Sequence, residues 1–458
     1  MNDITAFFAF LKYCLGYKEN MSRVIAGMNW HELYSFASKQ ALLGLCFEGI
    51  ERLGEEYPEE LKRNPIGREL LMTWMGKAQQ IRRQNMKVNA VAGKLFAMLR
   101  EDGLRCCILK GQGNALMYPN PYSRTPGDVD VWIDASRERI MEYAQKKFEL
   151  EDDIRLQHLE TSLDGVPVEL HFFPCSMNNP IYHARLQKWF RRNADLQCSH
   201  IVGLPDGAGD IAIPTTAFNV VYQLCHLYHH FFDEGIGMRQ IIDYFLVVND
   251  FSKNVFLNND LSNHPVNFSN HPVPLSKEGS TFSPSPSSSG SGDVTAPSRC
   301  SEPLRSKDGG PSKVSPDCAG WDRLAIEGDN SAGSTTVVTS SASTALDVVQ
   351  KELKHLGLWK FAGAVMYVLH ETLGLSEEKM IAPMDEKRGK LLLAEILNGG
   401  NFGQHFTKYG HFTQQGMAKK YFLKIWRNMH FVRYYPAEAL SEPIFRTLHF
   451  FWRLKHRR

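Results

Sequence analysis

The sequence predicts an α+β chain in which a small mixed-sheet core is embedded in mainly helical N- and C-terminal regions, with a long disordered insertion. Three observations carry this expectation. Apolar residues recur at three and four from residue 3 to about 100, as at Leu33, Phe36, Leu43 and Phe47. After Gly103 the period changes to short apolar segments and strand-like alternation. Residues 252 to 344 are rich in Ser, Pro, Gly, Asn and Thr and nearly free of aromatics after Phe282 apart from Trp321, too polar to offset chain entropy by burial.

Taken in order, residues 1–103 read as an N-terminal helical region whose longest run spans about 66 to 100. Residues 104–178 read strand, short helix, strand, helix, hairpin. "RCCILKG" is the first strand, "NALMY" gives one or two helical turns, and "DVDVWI" alternates. A helix follows in "SRERIMEYAQKKF", opened by the cap residue Ser136. Asp164-Gly165 then joins "IRLQHLETSL" to "VPVELHFF", the strongest two-residue hairpin signal. Helical spacing returns over 179–251, stops through the disordered insertion at 252–344, and resumes over 345–458. The insertion therefore separates two parts of one helical domain, and a solvent-looping tract is its simplest reading.

The stretch "SRTPGDVDVWID" puts Asp128 and Asp130 on one face of a half-buried strand, with Val129, Val131 and Ile133 on the other. Two carboxylates so close repel each other, and a cation beside them is the physical remedy. A solvent-exposed edge strand after Pro126-Gly127 would show the same pair, so the neighbours decide. Upstream, Gly111 and Gly113 form a turn into a short helix whose backbone N–H groups could approach phosphate. Lys110 and Arg124 flank that face and could supply charge to phosphates. Glu169 lies mid-strand in "VPVELHF", where an acid is otherwise costly, and His171 shares its face. Asp164 is explained by its turn, and Asp134 by capping the helix at Ser136.

The order of strand, "KG" turn, helix, "R-x-x-G-D-V-D-V" and later "V-E-L-H" resembles the DNA polymerase beta-like nucleotidyltransferase superfamily. In particular it is similar to an uncharacterised bacterial nucleotidyltransferase family with "LKG", "R-x-x-G-D-[IV]-D" and "ELH" blocks. The resemblance covers residues 105 to 173, with a weaker extension through "GMRQIID" and "GGNFG". It implies metal-dependent transfer of a nucleoside monophosphate from an NTP to a hydroxyl acceptor, a small molecule or sugar derivative, with release of pyrophosphate. Asp128 and Asp130 would hold two Mg²⁺ (or Mn²⁺) ions, Glu169 would supply the third carboxylate, and Gly111 would cradle the triphosphate beside Lys110, Gln112 and Arg124. Gln112 stands where the wider superfamily has a serine, so a hydroxyl to phosphate is missing. A catalytically inactive nucleotide-binding or partner-binding module, and a toxin-like transferase modifying RNA or protein, are the alternative expectations.

Other features have simpler explanations. His226, His229 and His230 fall within one helical turn, but no further ligand follows at a diagnostic distance, so helix packing accounts for them. Arg239 and Asp243 make an i, i+4 ion pair, although a contact to base, ribose or acceptor is a further role for that helix. "NGGNFGQHF" reads as a helix end and turn, with a phosphate contact as the alternative. Lys419, Lys420, Lys424, Arg427, Arg433, Arg446, Arg453 and the final "RLKHRR" read as a basic, partly buried helical surface, with a face for an acidic acceptor or RNA as the alternative. A net charge of +2 offers no global attraction for nucleic acid, which stays possible but is not indicated. Nine cysteines without a CxxC pair argue against a zinc knuckle or disulfide framework. No apolar run reaches bilayer length and no cleavable leader is visible, so a cytoplasmic protein with no membrane partner is expected. The sequence does not address oligomeric state.

Overall fold

A four-stranded mixed sheet sits at the centre of a computed structural model that describes residues 3–150, 155–260, 344–404 and 417–456. Ahead of it come the helices α1 (Asp3–Cys14), α2 (Ser22–Ala26), α3 (Trp30–Lys39), α4 (Leu43–Glu56), α5 (Pro58–Arg63) and the long α6 (Arg68–Glu101). The core then runs β1 (Cys106–Leu109), α7 (Gly111–Ala115), β2 (Val129–Ile133), α8 (Arg137–Lys147), β3 (His158–Leu163) and β4 (Val166–His171). After it come α9 (Pro180–Ser199), β5 (Ile201–Gly203), β6 (Asp210–Ala212), α10 (Thr216–Asp233) and α11 (Met238–Asp260). The last described helices are α12 (Ala345–His355), α13 (Trp359–Leu373), α14 (Glu386–Gly399), α15 (Met417–Met429) and α16 (Pro436–His456). This is the α+β architecture that the sequence predicts.

The strand order is β1-β2-β4-β3, with β1 and β3 antiparallel to their neighbours and β2 parallel to β4. Asp164 and Gly165 both take positive φ, 49° and 70°, as a two-residue hairpin turn of type I′ requires. The Asp strand is more enclosed than expected: all five residues of β2 are buried. Helices cover both sheet faces, which removes the solvent side that a half-buried strand needs. On one face Val129, Val131, Ile133, Val168 and Leu170 share a core with Val88, Val91, Leu95 and Leu99 of α6 and Ile140 of α8. On the other face Trp132 lies parallel to Phe218 of α10 at 6.2 Å, and Phe218 stacks on Trp189 of α9 at 4.5 Å. The acids therefore share a face with Trp132 and look toward α10.

Three local features differ from the sequence reading. Asp134 does not cap α8; it pairs with Arg105, while Ser136 accepts the Arg139 N–H with its own hydroxyl. The hairpin of β5 and β6 was not foreseen, because three-residue strands are too short to show alternation. It packs on α6 where Gly93 lets backbone approach backbone: a Cβ there would meet the Ala208 carbonyl oxygen at 2.1 Å. The expected start of the insertion at 252 falls inside α11, which continues to Asp260, and Thr344 caps α12 through a reciprocal bond with Asp347. The rest of that tract, 261–343, lies outside the described residues. No helix among the described residues is long and apolar enough to cross a membrane.

Candidate active site

Sheet register builds the acidic cluster. Asp130 is the partner of Glu169 in the parallel β2–β4 pairing, and Asp128 lies just ahead of β2, where the chain enters the sheet. Alternation sends Asp130, Glu169 and His171 to one face. One oxygen from each of Asp128, Asp130 and Glu169 falls within 4.8 Å of the others. Asp130 is buried, Glu169 half-buried, and Asp128 opens to solvent, so the cluster is reachable from the Asp128 side.

Lys110 is placed by an unusual backbone. At φ 52° and ψ −125° it occupies a region that L side chains disfavour, and the bend turns the chain from β1 into α7. Its ammonium lies 3.1 Å from both carboxylate oxygens of Asp130 and 3.2 Å from Nε2 of His226. His171 Nε2 lies 2.9 Å from Asp130 Oδ1 and 3.1 Å from Glu169 Oε2.

These contacts divide the charges. Burial works against ionised Asp130, but the Lys110 ammonium and His171 hold its carboxyl well below the usual carboxylate range. The Asp130 charge, with partial desolvation and the Glu169 charge adding to it, pushes Asp128 up to about 6. Burial would depress His171, yet its bonds to the two acids raise it to about 9. Asp128 is thus the acid least compensated by neighbours.

A cavity opens in front of the acids. Its lining includes Lys110, Gly111, Asp128, Asp130, Arg124 and Arg239. Arg124 is held by Asp243, not by solvent: Nε and Nη2 donate to the two carboxylate oxygens at 2.9 and 2.8 Å, and Tyr118 donates to the same acid at 2.8 Å. This corrects the expected Arg239–Asp243 pair. Asp243 is taken by a residue 119 positions away, which no local spacing reveals, and Arg239 instead donates to the Thr125 carbonyl at 3.0 Å. Among the described residues, buried Arg124 Nη1 and Arg239 Nε find no hydrogen-bond partner.

The supports are buried amides. Asn85 on α6 donates to the carbonyls of Tyr122 and Arg124 at 2.9 and 2.8 Å, fixing the loop that leads to Asp128. One turn on, Asn89 accepts from Gln112, so the Gln112 side chain points into the α6 interface and lies outside the cavity lining. Asn114 and Gln223 bond reciprocally at 3.0 and 2.6 Å and tie α7 to α10.

The cavity lining also holds residues that the sequence reading does not assign to the site, among them Asn114, Gln223, His226 and Phe402. For His226 the available signal is the "HLYHH" run, which helix packing explains equally well. Phe402, at φ 51° in the turn after α14, lines the cavity beneath the Arg239 guanidinium, 5.5 Å from its ring centre. The basic C-terminal residues that are described mostly face inward: Lys424 and Arg446 bind Asp233 at 2.8 and 3.0 Å, and Arg427 is buried near Glu395. The side chains of Lys419, Lys420 and Arg453 lie outside the described residues.

The sequence profile of a family described as uncharacterised nucleotidyltransferase matches residues 26–262. Among solved structures, the chain is similar to an antigenic nucleotidyltransferase-like protein from Paracoccidioides brasiliensis, at 17% identity over 38% of this chain and 86% of that one, with a TM-score of 0.25. No curated protein matches. The profile spans more than half of the 458 residues and takes in all three acids, Lys110, Arg124, Arg239 and Asp243. The chain belongs to this family of nucleotidyltransferases.

Proposed function

We propose that the cleft moves a nucleoside monophosphate from an NTP to a hydroxyl of a small molecule or sugar derivative, releasing pyrophosphate, with divalent metal held by Asp128, Asp130 and Glu169. The observation that carries this is the junction of three clustered carboxylates with a cavity lined by three cations. The donor set fits a hard ion such as Mg²⁺ or Mn²⁺, for it is all carboxylate oxygen. Asp128 supports the fit, because its ionisation is opposed by Asp130, a repulsion that bound positive charge would relieve. Two ions bound there would lower the pKa of the acceptor hydroxyl and neutralise charge on the leaving pyrophosphate.

The chain's own residues supply the rest. Lys110 offers its ammonium from a backbone bent toward Asp130. Arg124 and Arg239 have buried N–H groups without partners among the described residues, and an anionic phosphate tail would satisfy them. Asp243 holds Arg124 in place from behind. Gly111 leaves room for phosphate beside the turn, whereas Gln112 is engaged by Asn89 and is not a phosphate contact in this reading.

The test uses NTPs labelled at the α or the γ phosphorus, incubated with the full chain, Mg²⁺ and fractionated small molecules. Transfer of the α label alone, with pyrophosphate released in equal amount, supports the proposal. Transfer of the γ label, or hydrolysis without transfer in every fraction, contradicts it.

A further inference from the structure

The acidic face continues past Glu169 into a group of different chemistry. His158 on β3 is the register partner of His171 on β4, and Glu160 is the partner of Glu169. Two imidazoles and two carboxylates thus form a square across one antiparallel pair, where side chains directly opposite stand closest. His158 Nδ1 lies 3.4 Å from Glu169 Oε2, and His171 Nε2 lies 3.1 Å from the same oxygen. One ligand atom from each of the three residues falls within 4.8 Å of the others.

His158 is only 9% exposed, and neither of its ring nitrogens makes a hydrogen bond to a described residue. A buried imidazole left so is costly. We infer that His158, Glu169 and His171 form a second binding site, for a divalent transition ion of the zinc or cobalt kind, beside the all-carboxylate site and sharing Glu169 with it. The spacing suits it: four-coordinate zinc with bonds of about 2.0–2.1 Å holds its donors about 3.3 Å apart. Two imidazoles and one carboxylate favour such ions over Mg²⁺, which prefers oxygen.

The surroundings match a ligated histidine. Glu160 Oε1 lies 3.5 Å from His158 Nε2, on the far side of the ring from Glu169, where a carboxylate orients a metal-bound imidazole. Arg155 Nη2 holds Glu160 at 2.6 Å. Ligation through His171 Nε2 displaces the proton shared with Asp130 and Glu169, which leaves as the ion arrives. β3 is an edge strand, so an ion has a path from solvent past half-buried Glu160. Glu169 belongs to both groups, and occupancy here would fix the orientation of the third carboxylate of the neighbouring site.

The experiment titrates Co²⁺ into the chelator-stripped full chain and reads the visible d–d absorption of imidazole-bound cobalt. The wild type is expected to show a saturable band that Zn²⁺ displaces and millimolar Mg²⁺ does not. Asp128→Asn should keep the band even where it loses nucleotide binding, which separates this site from the proposed catalytic one. His158→Ala should lose it with an unchanged far-ultraviolet circular dichroism spectrum. Glu160→Gln, a milder change, should weaken Co²⁺ binding by about tenfold, and it decides the question if His158→Ala does not fold. No band in the wild type, an unaltered band in His158→Ala, unaltered affinity in Glu160→Gln, or loss of the band in Asp128→Asn would each overturn the inference.

Discussion

Asp130 and Glu169 stand opposite one another across the parallel β2–β4 pairing, and His171 Nε2 lies 2.9 Å from the one and 3.1 Å from the other. The geometry is a property of the sheet rather than of a loop, so the two acids are held by rigid elements whose opposite face is packed on α6 and α8. Asp128, just outside β2, is the member free to reach solvent.

Removing charge at Glu169 should therefore cripple turnover without unfolding the protein. For Glu169→Gln, which keeps shape and removes the charge, pyrophosphate release is expected to fall by at least about a hundredfold. The urea midpoint should change little. A variant that retains near wild-type turnover would remove Glu169 from the proposed metal set.

Lys110 carries both a charge role and a strained backbone. Lys110→Met leaves buried Asp130 without its ammonium and should cost about 2–3 kcal/mol in chelator, toward or below the low end for a broken buried pair. Lys110→Gly loses the same charge but accepts the positive φ, and should be about 1–2 kcal/mol more stable than Lys110→Met. Urea denaturation of both variants checks the order; equal stabilities would show that the bend carries no strain.

The Arg124–Asp243 pair is buried on both sides and bonded twice. Asp243→Ala should cost about 3–5 kcal/mol because Arg124 is left buried and unpaired. Burial opposes the ionised Asp243, but Arg124 outweighs it and holds the acid below its usual range. A depressed acid stabilises the fold above its unfolded value, about 3.9, and that contribution is lost as pH falls toward the folded value. Urea midpoints measured across that acid range should show a slope that Asp243→Asn flattens.

Glu438 has the opposite sign. Burial pushes its carboxyl up to about 7 even though it accepts the Asn178 and Asn179 N–H groups at 2.5 and 3.1 Å. The folded chain then binds the proton more tightly than the unfolded one, so stability should decline as pH rises from about 4.3 to about 7 and level off above. Glu438→Gln should remove that decline in a thermal melt series; an unchanged series would mean that the two amides keep the carboxylate ionised.

Much of the site was legible because it obeys local periodicity. Alternation puts Asp128, Asp130, Glu169 and His171 on one face, and Asp164-Gly165 marks the hairpin that returns Glu169 to the sheet. What was not legible depends on distant packing. Asp243 reads as the partner of Arg239 on its own helix, yet the fold brings Arg124 to it from the loop before β2. His158 shows no signal until β3 and β4 are placed in register. Phe402 reaches the cavity from the far side of the 261–343 tract, and Lys110 takes a backbone angle that no propensity favours. The enclosure of β2 likewise follows from helices on both faces, not from its own composition.

The central claim is that Asp128 and Asp130 hold metal for a nucleotide. Its most direct test is equilibrium binding of each of the four NTPs, in Mg²⁺ and in chelator, by the wild type and by the double variant Asp128→Asn with Asp130→Asn. The account predicts that one or more NTPs bind the wild type only with metal, and that the double variant loses this binding while keeping its fold. Equal binding by both proteins, or wild-type binding indifferent to metal, would contradict it.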